Sequence, residues 1–271
     1  MYNSSTVSTS AAAKAINNKI LRLIILPTEN CNFRCTYCYE DFKIGRMSPA
    51  TLDGLKLLIL NRLIDIDSLN ISWFGGEPLI AKDIMLDLLD FASEACQVAG
   101  VAFSSSATTN GFTLTPSLAE RFSRLNLNSY QISLDGEGAT HDTTRRLASS
   151  KGTFNKIWQN LCSLKASSIP FEITLRIHLT PHNHESVVRL SEMIRDTLMP
   201  DQRFRIFVKA IGNWGGPNKS HIKTLDTMSA DQLMHKINNI IYGTARDSTE
   251  KKPQNYICYA GSPNSLGSMW Q

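Results

Sequence analysis

At 271 residues, 42 % hydrophobic and 19 % charged, the chain can carry one large α/β domain, or at most two domains. A net charge of +4 is far from the basic signature of nucleic-acid binding, and no run approaches the roughly 18 apolar residues that cross a bilayer. Neither nucleic acid nor membrane is therefore expected as a partner.

Residues 1–18 are rich in Ser, Thr, Ala and Asn and lack an apolar signal core. They read as a flexible leader rather than a secretion signal. The first strand candidate, Ile20–Leu26, runs directly into Cys31-Asn-Phe-Arg-Cys35-Thr-Tyr37-Cys38. Three soft ligands so close together suit an iron–sulfur or zinc site. A structural zinc site is closed by a fourth ligand, yet the nearest His is His141 and the next Cys is Cys96. A cubane held by three cysteines leaves one iron open for an exogenous ligand. Six cysteines with three in one cluster do not form a disulfide framework in a chain of this length, which points to a reducing, cytoplasmic setting.

Further along, Ser48-Pro49 pairs an N-cap with proline at the first helical position, ahead of an apolar stripe of Leu52, Leu55, Leu58, Ile59 and Leu63. The strand candidates Leu69–Phe74, Val101–Thr108, Ser129–Leu134, Phe171–Leu179 and Phe204–Ala210 follow in turn. Between them lie helical stripes: Met85, Leu88, Leu89, Ala92 and Cys96; Leu118 and Phe122 behind Thr115-Pro116; Phe154, Ile157, Trp158, Leu161, Cys162 and Leu164; and Val187 to Leu198. A last helix spans Ser229 to Tyr242. Such alternation predicts βαβ units and a parallel sheet, with working groups at the C-terminal strand ends.

Motifs fall at those ends. Gly75-Gly76-Glu77-Pro78 follows the second strand, Thr109-Asn110-Gly111 the third, and Ser133-Leu-Asp135-Gly136 the fourth, with His141-Asp142-x-x-Arg145 soon after. Together with the cysteine triplet and Tyr37 before its third member, they resemble the radical SAM enzymes. The combination is similar to the peptide-modifying members, including the anaerobic sulfatase-maturating enzymes and ribosomal-peptide maturases. The resemblance covers roughly residues 20 to 215 and implies a partial (β/α)6 barrel.

The resemblance also implies a chemistry. Cys31, Cys35 and Cys38 would ligate a [4Fe–4S] cluster whose open iron chelates S-adenosylmethionine (SAM). Reductive cleavage would give a 5′-deoxyadenosyl radical that takes hydrogen from a peptide or protein side chain, with flavodoxin or ferredoxin as reductant. Tyr37 would pack near the adenine, and Glu77 would anchor the methionyl ammonium. Gly75 and Gly76 would permit close backbone approach. Ser133 and Asp135 would meet the ribose or carboxylate, and Arg145 would clamp a carboxylate. Asn110 would contact the ligand or hold the turn before Gly111.

Other residues draw plainer expectations. Arg176 faces inward or outward according to strand register. His178, His182 and His184 are expected at a loop surface, and Cys96 and Cys162 in the core. Trp214, before Gly215-Gly216, lines the substrate mouth or packs its own loop. Residues 19–243 are expected to form the barrel. Residues 244–271 are expected to be a linker and the opening, at Cys258 to Asn264, of a cysteine-rich SPASM-type extension that is apparently truncated, since no cysteine follows Cys258. A glycyl-radical activating enzyme, a zinc-binding module, and an incomplete homologue that binds SAM or peptide without turnover are the competing readings.

Overall fold

The computed structural model describes residues 18–243 together with Ser265–Leu266. In chain order the elements are β1 (Ile20–Ile25), β2 (Phe33–Cys35), α1 (Pro49–Leu63), β3 (Ser68–Trp73), α2 (Lys82–Ala99), β4 (Ala102–Thr109), α3 (Pro116–Ser123), β5 (Leu127–Leu134) and α4 (Gly138–Thr144). They continue with β6 (Arg145–Leu147), α5 (Phe154–Lys165), β7 (Glu172–Leu179), α6 (His184–Thr197), β8 (Phe204–Ala210), α7 (Thr227–Tyr242) and β9 (Ser265–Leu266). The principal sheet runs β8-β7-β5-β4-β3-β1-β9, and every pairing in it is parallel. This is the parallel sheet that the alternation predicts, and the partial barrel that the resemblance implies.

Local chemistry explains the element ends. Ser48 Oγ accepts from Thr51 N at 3.1 Å, and Thr115 Oγ1 accepts from Leu118 N at 3.3 Å, so each opens its helix ahead of a proline. Helix α2 stops at Gly100, whose φ of 68° is the left-handed C-terminal turn that glycine adopts without penalty. The six predicted strands are all present, with ends shifted by no more than two residues.

Period-two alternation gives the sheet two unlike faces. Leu21, Leu23 and Ile25, then Leu69, Ile71 and Trp73, then Ile173, Leu175 and Ile177 are buried in one core cluster with Leu55, Ile59 and Met85 of the helices. The opposite face is polar and partly open. There Asn70 Nδ2 donates to Ser104 Oγ at 3.0 Å, and Ser72 lies 3.2 Å from Ser106. On β7 this face carries Glu172, Thr174, Arg176 and His178.

One pairing has no counterpart in the predicted elements. β2 runs antiparallel to β6 in a separate two-stranded sheet, with Cys35 opposite Arg145. Three residues carry too short an alternation to be seen in sequence, and the partner lies more than a hundred positions away. The segment assigned to the linker and the Cys258 extension lies outside the described residues apart from Ser265–Leu266, which pairs with the outer edge of β1.

Candidate functional site

The β1–α1 connection is pinched at its base by a bridge between Thr28 and Arg46 and by Met47 N donating to Pro27 O at 2.9 Å. The loop so closed carries Cys31, Cys35 and Cys38, all partly buried free thiols. Burial pushes Cys31 up to about 12 and Cys35 to about 11, and raises Cys38 as well. A metal must therefore displace three protons, which thiophilic ions do readily. Among the described residues, no three Cys, His, Asp or Glu side chains gather about a single point as one metal ion requires. A cubane, which spreads its thiolates over separate irons, asks for no such convergence, so this donor set fits a [4Fe–4S] cluster.

The Gly75-Gly76-Glu77 turn docks this loop. A Cβ at Gly75 would stand 2.6 Å from Thr28 O, and one at Gly76 would run into the backbone of Glu29 and Asn30. Gly76 N donates to Thr28 O at 3.2 Å and Glu77 N to Asn30 O at 3.0 Å. Both glycines are thus required by the cysteine loop itself. The Glu77 carboxylate is fully buried. It accepts from Leu79 N (3.0 Å), Thr109 Oγ1 (2.6 Å) and Asn110 N (2.7 Å), tying the end of β3 to the end of β4. Those three bonds occupy three of about four acceptor positions on a carboxylate, and the free one is on Oε2.

Across the loop stands a second buried network. Tyr37 OH donates to Asp135 Oδ1 at 2.9 Å, lies 3.2 Å from His178 Nδ1, and accepts from Arg145 Nη1 at 2.9 Å. Asp135 also receives Thr144 Oγ1 at 2.7 Å and sits 3.1 Å from His178 Nδ1. Burial alone would raise the Asp135 carboxyl, but His178, Arg145 and His141 hold it well below the usual carboxylate range. Burial lowers His178, and its contact with Asp135 opposes that shift. Arg145 remains charged although buried, and its Nε has no hydrogen-bond partner among the described residues. An orphaned donor on a guanidinium fork is what an incoming carboxylate would satisfy.

The His141-Asp142-x-x-Arg145 segment supports this network from behind. His141 Nδ1 accepts from Asp135 N at 3.3 Å, and Asp142 Oδ1 accepts from Thr153 N and Phe154 N at 2.7 and 2.9 Å, capping α5. Thr153 Oγ1 bonds Arg145 O.

The fold thus brings Cys31, Cys35, Cys38, Tyr37, Glu77, Asp135 and Arg145 to one end of the sheet. Ser133 is also buried there. Asn110 holds its turn through Oδ1, which accepts from Phe112 N at 3.0 Å, and its Nδ2 reaches Asn32 Oδ1 at 2.8 Å.

Two expectations require correction. His178 is not at a loop surface: it is 6 % exposed, because β7 continues through Leu179 and directs it into the Asp135 network. Cys162 is only partly buried, at the margin of its helix stripe, whereas Cys96 is in the core as expected. His182 and His184 are exposed. Asn183 was not anticipated at all. Its Nδ2 donates to Asp135 O at 2.7 Å and His178 O at 2.9 Å, linking the two strand ends. The signal for His178 was the alternation itself, since it shares parity with Arg176.

A cleft of about 480 Å³ opens beside Tyr37, walled by Tyr39, Arg176, His178, Ile211, Gly212 and Trp214. Its volume is that of a small-ligand site. Register therefore settles Arg176 on the inner face.

Comparison with known proteins agrees with this geometry. Residues 25–194 match the Radical SAM superfamily. The chain is 26 % identical over 227 residues to a cysteine-type anaerobic sulfatase-maturating enzyme of Clostridium novyi, covering 81 % of this chain and 59 % of that one. It is 24 % identical over 263 residues to the GTP 3′,8-cyclase of Desulforamulus reducens, covering 93 % and 74 %. Streptococcus suis SuiB, solved bound to precursor peptide SuiA, shares the fold with a TM-score of 0.59 at 18 % identity, over 85 % of this chain and 48 % of that one. The chain thus spans little more than half the length of the sulfatase-maturating enzyme and about half that of SuiB.

Proposed function

Since the chain belongs to the radical SAM superfamily, whose members use a [4Fe–4S] cluster and SAM, we propose that it is an oxidoreductase acting on a peptide or protein side chain. The pairing of Cys35 with Arg145 across β2 and β6 carries this reading. It puts a buried, unanswered guanidinium Nε beside the thiol loop, where a SAM carboxylate would lie. When bound, the cluster and SAM supply one-electron cleavage of the sulfonium to a 5′-deoxyadenosyl radical.

The chain's own residues bind and orient. Cys31, Cys35 and Cys38 hold three irons. The free acceptor on Glu77 Oε2 takes the methionyl ammonium, aided by the close backbone approach at Gly75 and Gly76. Arg145 takes the carboxylate, and Ser133 the ribose or carboxylate. Asp135, already ionised by its donors, fixes Tyr37 against the adenine. Asn110 keeps the thiol loop in register with the end of β4. Positioning supplies the rate advantage, since hydrogen transfer needs the reacting atoms within about 3–3.5 Å. The peptide substrate, and a reductant of the flavodoxin or ferredoxin kind in a reducing cytoplasm, complete the proposal. Its support is the likeness to the sulfatase-maturating enzyme and SuiB. Among the described residues, no helix is long and apolar enough to cross a membrane.

The test is anaerobic reconstitution with iron and sulfide, followed by SAM and dithionite. The expected product is 5′-deoxyadenosine from the wild type and none from Cys35→Ala. A wild type that holds its cluster yet leaves SAM intact would overturn the proposal.

A further inference from the structure

Resting on the reading above, the geometry points to a carboxylate subsite at the β7–β8 side of the cleft, where Arg176 and Lys209 receive an acidic side chain of the peptide substrate.

The β7–β8 register places Arg176 opposite Phe207 and His178 opposite Lys209, so in this parallel pair all four share the inner face. Charge on that face is unbalanced. Arg205, one step further down, is matched by Glu172 at 2.9 Å. Arg176 Nε is buried with no hydrogen-bond partner among the described residues, and Lys209 is exposed. The carboxylate within this network, Asp135, is already engaged by Tyr37, His178 and Thr144. A buried donor with nothing to bond is costly, and here it belongs to a residue that lines the cleft.

The remaining walls are preformed. Gly212 lies against the Trp214 indole, where an added Cβ would come within 3.0 Å of the ring, and Trp214 still leaves 73 % of its surface exposed. Gly216, at φ +80°, approaches the Tyr39 backbone so closely that a Cβ would stand 2.5 Å from it, and Asn218 Nδ2 donates to Cys38 O at 3.2 Å. The glycine-rich loop after β8 is therefore bound onto the cysteine loop, and Tyr39, Trp214 and Arg176 line the same cleft. Rigid aromatic walls around an unanswered cation suit a peptide segment with a carboxylate side chain. Tyr37 stands between this subsite and Arg145, so the peptide anchor and the cofactor anchor are separate cations.

The test titrates the reconstituted full chain, by fluorescence anisotropy, with a dye-labelled Gly/Ser/Glu peptide and its Gly/Ser/Gln counterpart. The Glu peptide is expected to bind about tenfold more tightly. Arg176→Gln should abolish that preference and Lys209→Gln, at an exposed site, should reduce it. Equal binding of the two peptides by wild type would overturn the subsite. So would a Glu preference that survives both substitutions, because it would then come from the overall positive charge. Loss of SAM affinity in Arg176→Gln, measured by calorimetry, would reassign Arg176 to the cofactor's carboxylate and overturn it as well. Formation of 5′-deoxyadenosine by wild type is read in the same samples. If it forms without a peptide preference, the subsite alone falls; if the preference appears without it, the radical SAM reading falls and the subsite stands.

Discussion

Tyr37 and Asp135 are 98 positions apart, yet the phenol donates to the buried carboxylate at 2.9 Å. That contact joins the thiol loop to the end of β5. Arg145 and His178 meet at the same phenolic oxygen. Removing it leaves several buried polar groups short of a partner.

Tyr37→Phe is therefore expected to destabilise the chain by about 1–3 kcal/mol, the cost of orphaned buried groups. Urea denaturation of the apo chain measures this. Iron binding should persist because the three thiols are untouched, while SAM affinity should fall as Arg145 loses its brace.

Substituting Cys31, Cys35 or Cys38 with Ala is expected to prevent iron incorporation, since three thiolates are the whole protein ligand set of the proposed cluster. Cys96→Ala should leave iron and sulfide content unchanged, because Cys96 is a buried core residue of α2. Iron and sulfide analysis after anaerobic reconstitution decides between the two.

Gly76→Ala forces a methyl into the Glu29 and Asn30 backbone. The expected cost is about 3 kcal/mol, the upper part of the range for overpacking. Gly54→Ala, where nothing lies within 4 Å, serves as the control. A Gly76→Ala chain as stable as wild type would show that the loop does not rest on this glycine.

Burial holds His141 at about 4, below its ordinary 6.5, and Asp135 only partly opposes this. The unfolded chain then binds the additional proton between those values, so this stability is complete above pH 6.5 and is lost as pH falls towards 4. The size is on the order of 3 kcal/mol. His141→Gln should flatten this part of the stability–pH curve. An unchanged slope between wild type and variant would mean that other groups govern the acid limb.

Glu77→Ala removes the acceptor of Leu79 N, Asn110 N and Thr109 Oγ1 at once. It should weaken SAM binding by about tenfold or more, as loss of a charge-assisted hydrogen bond does. It should also lower stability, because its three donors are left buried. Glu77→Gln separates the two effects: most of the stability returns, whereas SAM affinity, followed by anaerobic calorimetry, stays low.

Local periodicity alone determined the six strands, the Ser48 and Thr115 caps, and the placement of each motif at a strand end. These follow from short-range sterics and from which alternate residues are apolar, and both are written in consecutive residues. The cysteine triplet was equally legible, because its ligands lie within one loop. What tertiary structure decided is of another kind. The β2–β6 pairing, the burial of His178, the Asn183 link and the inward face of Arg176 depend on which strand ends become neighbours when the sheet curls. Gly75 and Gly76 read as room for a ligand, yet their closest demand comes from the backbone of Thr28 to Asn30. No window of sequence contains such contacts, since each joins residues whose only proximity is created by folding.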